Sequence, residues 1–290
     1  MTGGFPGANA ERDDADYVIV GAPLDVSTTF QPGSRFGPDR IRRFAATYDD
    51  YDRRTDAHFS DRGVHDAGDV AAWDDAVEYL DHLRGELAAV ALDGAVPLTL
   101  GGEHTVSAAG VRATDPDVFV ALDAHLDLRA DYDGNPWSHA CVTRRILDGD
   151  PGDAGAAVGD ATADRAVVLG ARTGSPAEYD RAAGDDVTVV SPEAVAGWES
   201  DFADEDVYLS VDVDSADPAY APGTGTMEPF GLTPRAMRDV VHAVAPHAVG
   251  ADVVEVNDRD DGQAAALAGK LLREFVHAHD AGDVDGTREG

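Results

Sequence analysis

The chain has one cysteine, Cys141, which excludes an intrachain disulfide, and one lysine, Lys270. No apolar run approaches the ~18 residues needed to cross a membrane. The opening stretch "MTGGFPGANAERDD" lacks the basic-then-apolar order of a signal peptide. These absences set the expectation of a soluble cytoplasmic protein with no membrane partner. Positive charge is also scarce: 22 basic residues stand against 56 acidic ones, a formal net charge of -34. A chain of that sign repels phosphate backbones, so nucleic acid is excluded as a partner. The acidic excess is spread along the chain rather than gathered in a tail. It reads as the carboxylate-rich surface of a halophilic protein, because at molar salt a Debye length of ~3 Å screens the self-repulsion.

A disordered acidic chain would lack regular apolar strands, and this one has many. They are "YVIVGAP" from Tyr17, "VPLTLGG" from Val96, "VFVALDAH" from Val118, "AVVLGA" from Ala166, "VTVVS" from Val187, "VYLSVDVD" from Val207 and "AVGADVVEV" from Ala248. Nearly continuous apolar runs of this length fit a parallel sheet covered on both faces. Helical patterns lie between them. Asp74 to Leu92 carries Val77, Leu80, Leu83 and Leu87 on one face behind two aspartates. Thr233 to Val244 opens with an N-cap threonine and Pro234, and a last helix spans about Gln263 to His279. The alternation predicts one doubly wound α/β domain over residues 1–290, with 1–14 and 281–290 expected to be loose. In such folds ligands bind at the carboxyl ends of the strands.

Ionisable residues gather at those ends. "DAHLD" places Asp123, His125 and Asp127 at every second position, on one side of the chain while it stays extended. "SVDVD" repeats the device with Asp212 and Asp214, and "GGEHT" turns on two glycines to present His104. Four aspartates beside two imidazoles cannot all stay ionised without counter-charge. Divalent cations remove the conflict. A carboxylate-rich set with imidazole suits Mn²⁺, and the number of ligands suits two ions roughly 3.5–4 Å apart that lower the pKa of a bridging water. His58, His65, His82, His242, His247, His277 and His279 are read as ordinary surface or core residues. Cys141 is not read as a nucleophile, since no orienting group accompanies it. "APGTGT", Ala221 to Thr226, lacks the Lys-Ser/Thr of a phosphate loop and is read as a tight turn beside the cavity.

At these residues the sequence resembles the ureohydrolases, the family of arginase and agmatinase. The resemblance runs through "GAPLDVSTTFQPGSRFGPDRIR", "HDAGDV", "GGEHT", "DAHLDLR", "SHA", "SVDVDSADPAYAPGTGTMEPFGLT" and "DVVEVN", and "LRADYDGNPWSHA" is similar to the shorter agmatinases. It implies a three-layer αβα fold around a mainly parallel sheet of about eight strands, two Mn²⁺ per subunit, and a trimer or hexamer. Asp123 and Asp212 would bridge the ions, His104 and Asp127 would complete one site, and His125 and Asp214 the other. A bridging hydroxide would attack the guanidino carbon of agmatine, giving putrescine, as in polyamine biosynthesis, and urea. Asp127 would also pass the proton to the leaving nitrogen. His139 matches a proton shuttle or positioning residue, and Glu255 the residue that pairs with the guanidinium. The sequence departs from the pattern at Cys141-Val142, where Thr-Pro is common, and at Asp258, where proline is common.

A dicationic substrate needs no cation to receive it. The loop "ADYDGNPW", Ala130 to Trp137, offers Asp131 and Asp133 and no basic residue, which favours agmatine or aminopropylagmatine over arginine, guanidinobutyrate or formiminoglutamate. Against this, Asn135 and Ser138 can hydrogen-bond a carboxylate, and Arg129 or Arg144 can turn inward. Glu228 is a candidate for the distal amine and Asn135 for a further substrate contact. The other class is a non-catalytic metal-binding relative, against which all the proposed ligands being present argues.

Overall fold

The computed structural model describes residues 3–71, 74–150 and 162–284, with the side chains of 281–284 excepted. The described residues form ten strands and seven α-helices. The strands are β1 Tyr17–Ala22, β2 Tyr51–Asp52, β3 Ala57–His58, β4 Val64–Asp69, β5 Val96–Gly101, β6 Val118–Leu122, β7 Arg165–Leu169, β8 Val187–Val190, β9 Val207–Asp212 and β10 Ala248–Val254. The helices are α1 Gly37–Ala45, α2 Ala76–Leu92, α3 Val106–Thr114, α4 Val142–Asp148, α5 Pro176–Ala182, α6 Pro234–Val244 and α7 Gln263–Val284. Eight strands form one sheet in the order β4-β1-β5-β10-β9-β6-β7-β8, and every described pairing in it is parallel. Parallel neighbours need crossovers, and the helices supply them. β2 and β3 form a separate antiparallel pair.

Side chains alternate between the sheet's faces, and the core divides accordingly. Ile19, Leu98, Val120 and Leu209 pack with Ile41 of α1, Met237 of α6 and Leu271 of α7. Val18 and Val20 pack on the other face with Leu80, Leu83 and Leu87 of α2 and Ala109 of α3. Phe119, Ala121 and Val168 extend that second layer onto Val111 and Ile146. The result is the three-layer αβα arrangement. Local signals start the helices where expected. Asp75 accepts the Glu78 amide at 3.0 Å, Thr233 caps α6 through the Ala236 amide at 3.2 Å, and Ser175 with Glu178 forms a capping box on α5.

Three features differ from the sequence reading. β4, "VHDAGD", is a strand although only Val64 in it is apolar and buried. It is an edge strand, and its carboxylates are held by Arg42 of α1: Asp66 at 2.7 and 2.8 Å and Asp69 at 2.5 Å. Gly21 of β1 leaves the room that Asp69 occupies. Second, Phe5 within the amino-terminal stretch has a packed place. Phe5 is buried against Phe59, and its amide bonds Asp66 at 2.5 Å. Third, α7 runs to Val284 rather than stopping near His279; residues 285–290 lie outside the described residues.

The chain passes from β5 to β6 over two strand positions, later filled by β9 and β10. Such a switch opens a crevice at the strands' carboxyl ends. β5, β10, β9 and β6 are neighbours there, and each is followed at once by ionisable residues.

Candidate metal centre

His104 is placed by the turn out of β5. Gly102 lies so close to the Leu24 backbone that a Cβ would collide with it, and the Gly102 and Glu103 amides bond Ala22 O at 2.8 Å and Leu24 O at 2.7 Å. The turn delivers His104 fully buried at the start of α3. Its Nε2 lies 3.0 Å from Ser210 Oγ, and Ser210 Oγ donates to Asp252 Oδ1 at 2.6 Å. Asp252 also accepts Tyr208 OH at 3.0 Å. With its hydroxyl proton committed to Asp252, Ser210 accepts from Nε2–H, so the lone pair of His104 lies on Nδ1. That atom faces three carboxylates: Asp127 Oδ2 at 2.9 Å, Asp123 Oδ2 at 3.1 Å and Asp212 Oδ2 at 3.6 Å.

A second group forms on the other oxygen of Asp123. His125 Nδ1 is 3.0 Å from Asp214 Oδ2 and 3.5 Å from Asp123 Oδ1. In each of the triads His104–Asp123–Asp127 and Asp123–His125–Asp214, the ligand atoms lie within 4.8 Å of one another. Asp123 belongs to both. Asp212 reaches the first group by Oδ2, while its Oδ1 accepts the Asp214 amide at 2.8 Å.

The extended, period-two geometry expected of these motifs is not what assembles them. β6 ends at Leu122 and the chain bends at once, with the His125 amide bonded to Asp123 Oδ1 at 2.7 Å. Asp127 has a φ of 51°, in the left-handed region that aspartate tolerates better than most residues. β9 likewise ends at Asp212, which caps a 3₁₀ turn over Val213–Ser215 that carries Asp214. The residues converge through side-chain-to-backbone bonds in tight turns, a preference of aspartate that strand alternation does not express.

The electrostatics of the bare cluster are conflicted. Burial, then the charges of Asp214, Asp123 and Glu255, push the Asp212 carboxyl far above its usual range. Burial and the Asp123 charge raise Asp127 to about 6. Burial disfavours charged His125, but Asp214 and Asp123 outweigh it and lift the ring to about 12. Asp123 Oδ2 is buried without a hydrogen-bond partner among the described residues. An orphaned carboxylate oxygen, two imidazole nitrogens and further carboxylates fit a pair of divalent cations.

Beside this cluster stand Glu255 and His139. Glu255 follows β10 with a φ of 62°, a conformation that costs glutamate energy and persists only where the surroundings enforce it. Its Oε1 accepts the His104 amide at 2.9 Å and His139 Nδ1 at 3.1 Å. Asn135 is exposed, and its Oδ1 is turned to the Trp137 amide at 3.0 Å. Glu228 is fixed through its carbonyl by Arg172 at 2.5 Å. The structure does not bring the side chains of Asn135 and Glu228 into contact with the cluster among the described residues. Cys141 is buried, and burial pushes its thiol up to about 12, which removes it as a nucleophile.

The sequence reading passed over Ser210, Asp252, Glu103 and Arg172. A signal existed for the first two: they are polar residues in apolar strands, and they pair across β9 and β10. Arg172 donates to the carbonyls of Asp214, Ser215, Ala216 and Glu228, tying the Asp214 turn to the 228 loop. Ser210→Ala should weaken metal binding about 10- to 100-fold with the fold retained, since second partners of ligating histidines contribute that much. Competition with a chelator measures it.

The chain is similar to known proteins over most of its length. Residues 15–278 match the sequence model of the arginase family. Over 285 residues the chain is 32% identical to the agmatinase of Bacillus subtilis, covering 94% of each chain. It is 33% identical over 277 residues to the N(1)-aminopropylagmatine ureohydrolase of Thermococcus kodakarensis, covering 90% of each. The crystal structure of the agmatine ureohydrolase of Thermoplasma volcanium superposes with a TM-score of 0.83 at 33% identity, covering 97% of this chain and 94% of that one. The chain belongs to the arginase family, and it is a ureohydrolase acting on guanidino C–N bonds.

Proposed function

We propose that the protein hydrolyses agmatine to putrescine and urea with two Mn²⁺ held at the carboxyl end of the sheet. The observation that carries this reading is the pair of ligand triads sharing Asp123. His104, Asp123, Asp127 and Asp212 would hold one ion, and Asp123, His125, Asp214 and Asp212 the other. When bound, the ions supply Lewis acidity that neutralises the carboxylates and lowers the pKa of water.

The remaining work falls to side chains. Glu255 uses Oε1 for two N–H donors, which leaves Oε2 to receive the substrate's guanidinium. Water adds to the guanidino carbon, and Asp127 takes its proton at Oδ1 and returns it to the leaving nitrogen. Both ring nitrogens of His139 are engaged, Nδ1 with Glu255 and Nε2 with Thr29, which favours positioning over proton shuttling.

The choice of agmatine rests on charge. Among the basic residues nearest the substrate loop, Arg129 pairs with Glu178 at 3.3 Å and stacks on Tyr132, and Arg144 pairs with Asp148. Both are drawn to acidic neighbours, which favours a cationic substrate over one with a carboxylate. Urea release from agmatine, aminopropylagmatine, arginine, guanidinobutyrate and formiminoglutamate, assayed in molar salt with Mn²⁺, tests the reading. Agmatine should give the highest kcat/KM. Absence of urea from both agmatine and aminopropylagmatine would overturn it.

A further inference from the structure

Glu103 sits beside His104 yet belongs to neither ligand group. It is fully buried, close to an already crowded set of carboxylates. Burying another negative charge there is costly unless its oxygens are bonded. They are, and none of the bonds goes to the cluster. Oε1 accepts Ser27 Oγ at 2.6 Å and Thr105 Oγ1 at 2.9 Å, and Oε2 accepts the Ser27 amide at 2.8 Å and Thr28 Oγ1 at 3.4 Å.

These contacts lead to His139. Ser27 Oγ, its proton committed to Glu103, accepts the His139 amide at 2.9 Å. Two residues on, the Thr29 amide lies 3.2 Å from His139 Nε2, and Thr29 Oγ1 lies 3.0 Å from the same atom. A backbone N–H can only donate, so Nε2 is the acceptor and the ring proton sits on Nδ1, facing Glu255 Oε1 at 3.1 Å. Residues 26–29 lie in no strand or helix. Without a ladder of its own, such a segment takes its position from side-chain bonds.

We infer that Glu103 is a positioning residue for the reaction: it anchors Ser27, and the Ser27–Thr29 segment holds His139 in the orientation and tautomer that fix Glu255. The inference rests on the reading of His139 and Glu255 given above. Losing the anchor lets the His139–Glu255 pair drift from the orientation that receives the guanidinium, and misplacement on that scale is expensive.

A double-mutant cycle on turnover by the Mn²⁺-loaded protein tests it, with Glu103→Gln, His139→Asn and the double variant. The Ser27 hydroxyl and amide donate to different oxygens of Glu103, so in glutamine one of them meets an NH₂ in place of an acceptor. Glu103→Gln should lower kcat about 10- to 100-fold with bound manganese unchanged. In the His139→Asn background it should cost less than about twofold more, because the two residues act through one contact. Equal losses in both backgrounds would overturn the inference and leave the reading of His139 standing. Full turnover by His139→Asn would overturn both. Should Glu103→Gln fail to fold, Ser27→Ala breaks the same link and replaces it in the cycle; additivity there is equally fatal.

Discussion

Replacing Asp123 with asparagine is expected to lower turnover at least about 10³-fold while the chain stays folded. Asp123 is the residue common to both ligand groups, with Oδ2 toward His104 and Oδ1 toward His125. Asparagine keeps the size but removes the charge, and it replaces one acceptor with an NH₂ that faces ring nitrogens or cations. Both ions should therefore be lost, and Lewis-acid stabilisation of several kcal/mol with them. The fold should survive, because the position is held by backbone bonds such as Asp123 N to Leu169 O at 3.1 Å. Circular dichroism checks the fold and urea release checks the turnover. Added Mn²⁺ should raise the Tm of the parent protein and leave that of the variant unmoved, since only a ligand bound to the native state stabilises it.

The second large effect is expected at Glu255. Glu255→Gln should reduce kcat/KM about 30- to 1,000-fold with bound metal unchanged. Oε1 already accepts the His104 amide and His139 Nδ1. A glutamine that satisfies those donors turns its NH₂ toward the guanidinium, donor against donor. Removing one partner of a buried, hydrogen-bonded charge pair costs about 2–4 kcal/mol, which gives that range of rates. Loss of metal together with activity would instead place Glu255 among the ligands.

Much of this was legible in the sequence because two patterns are strong. Long β-branched runs such as Val118–Leu122 and Val207–Asp212 can only be buried strands, and the ionisable residues after them mark the carboxyl rim. β4 escaped because its stability comes from Arg42 bridging to Asp66 and Asp69, a long-range ion pair that no local pattern records. Phe5 escaped for a similar reason: its partner Phe59 is distant in sequence. The sequence singled out His104, Asp123, His125, Asp127, Asp212 and Asp214, and the structure brings them together by a route that alternation does not express. Alternation implies an extended chain, but Asp127 and Glu255 are left-handed and Asp214 sits in a 3₁₀ turn. The supporting bonds, Ser210–Asp252 behind His104 and Glu103–Ser27 behind His139, join elements that only the sheet order brings together. The Asn135 side chain serves its own loop by accepting the Trp137 amide.

Manganese bound per chain, measured by equilibrium dialysis in molar salt, bears most directly on a two-ion centre built on Asp123. Two ions per chain are expected, and neither should be retained by Asp123→Asn. One ion or fewer in the unaltered protein, or two in the variant, would contradict it.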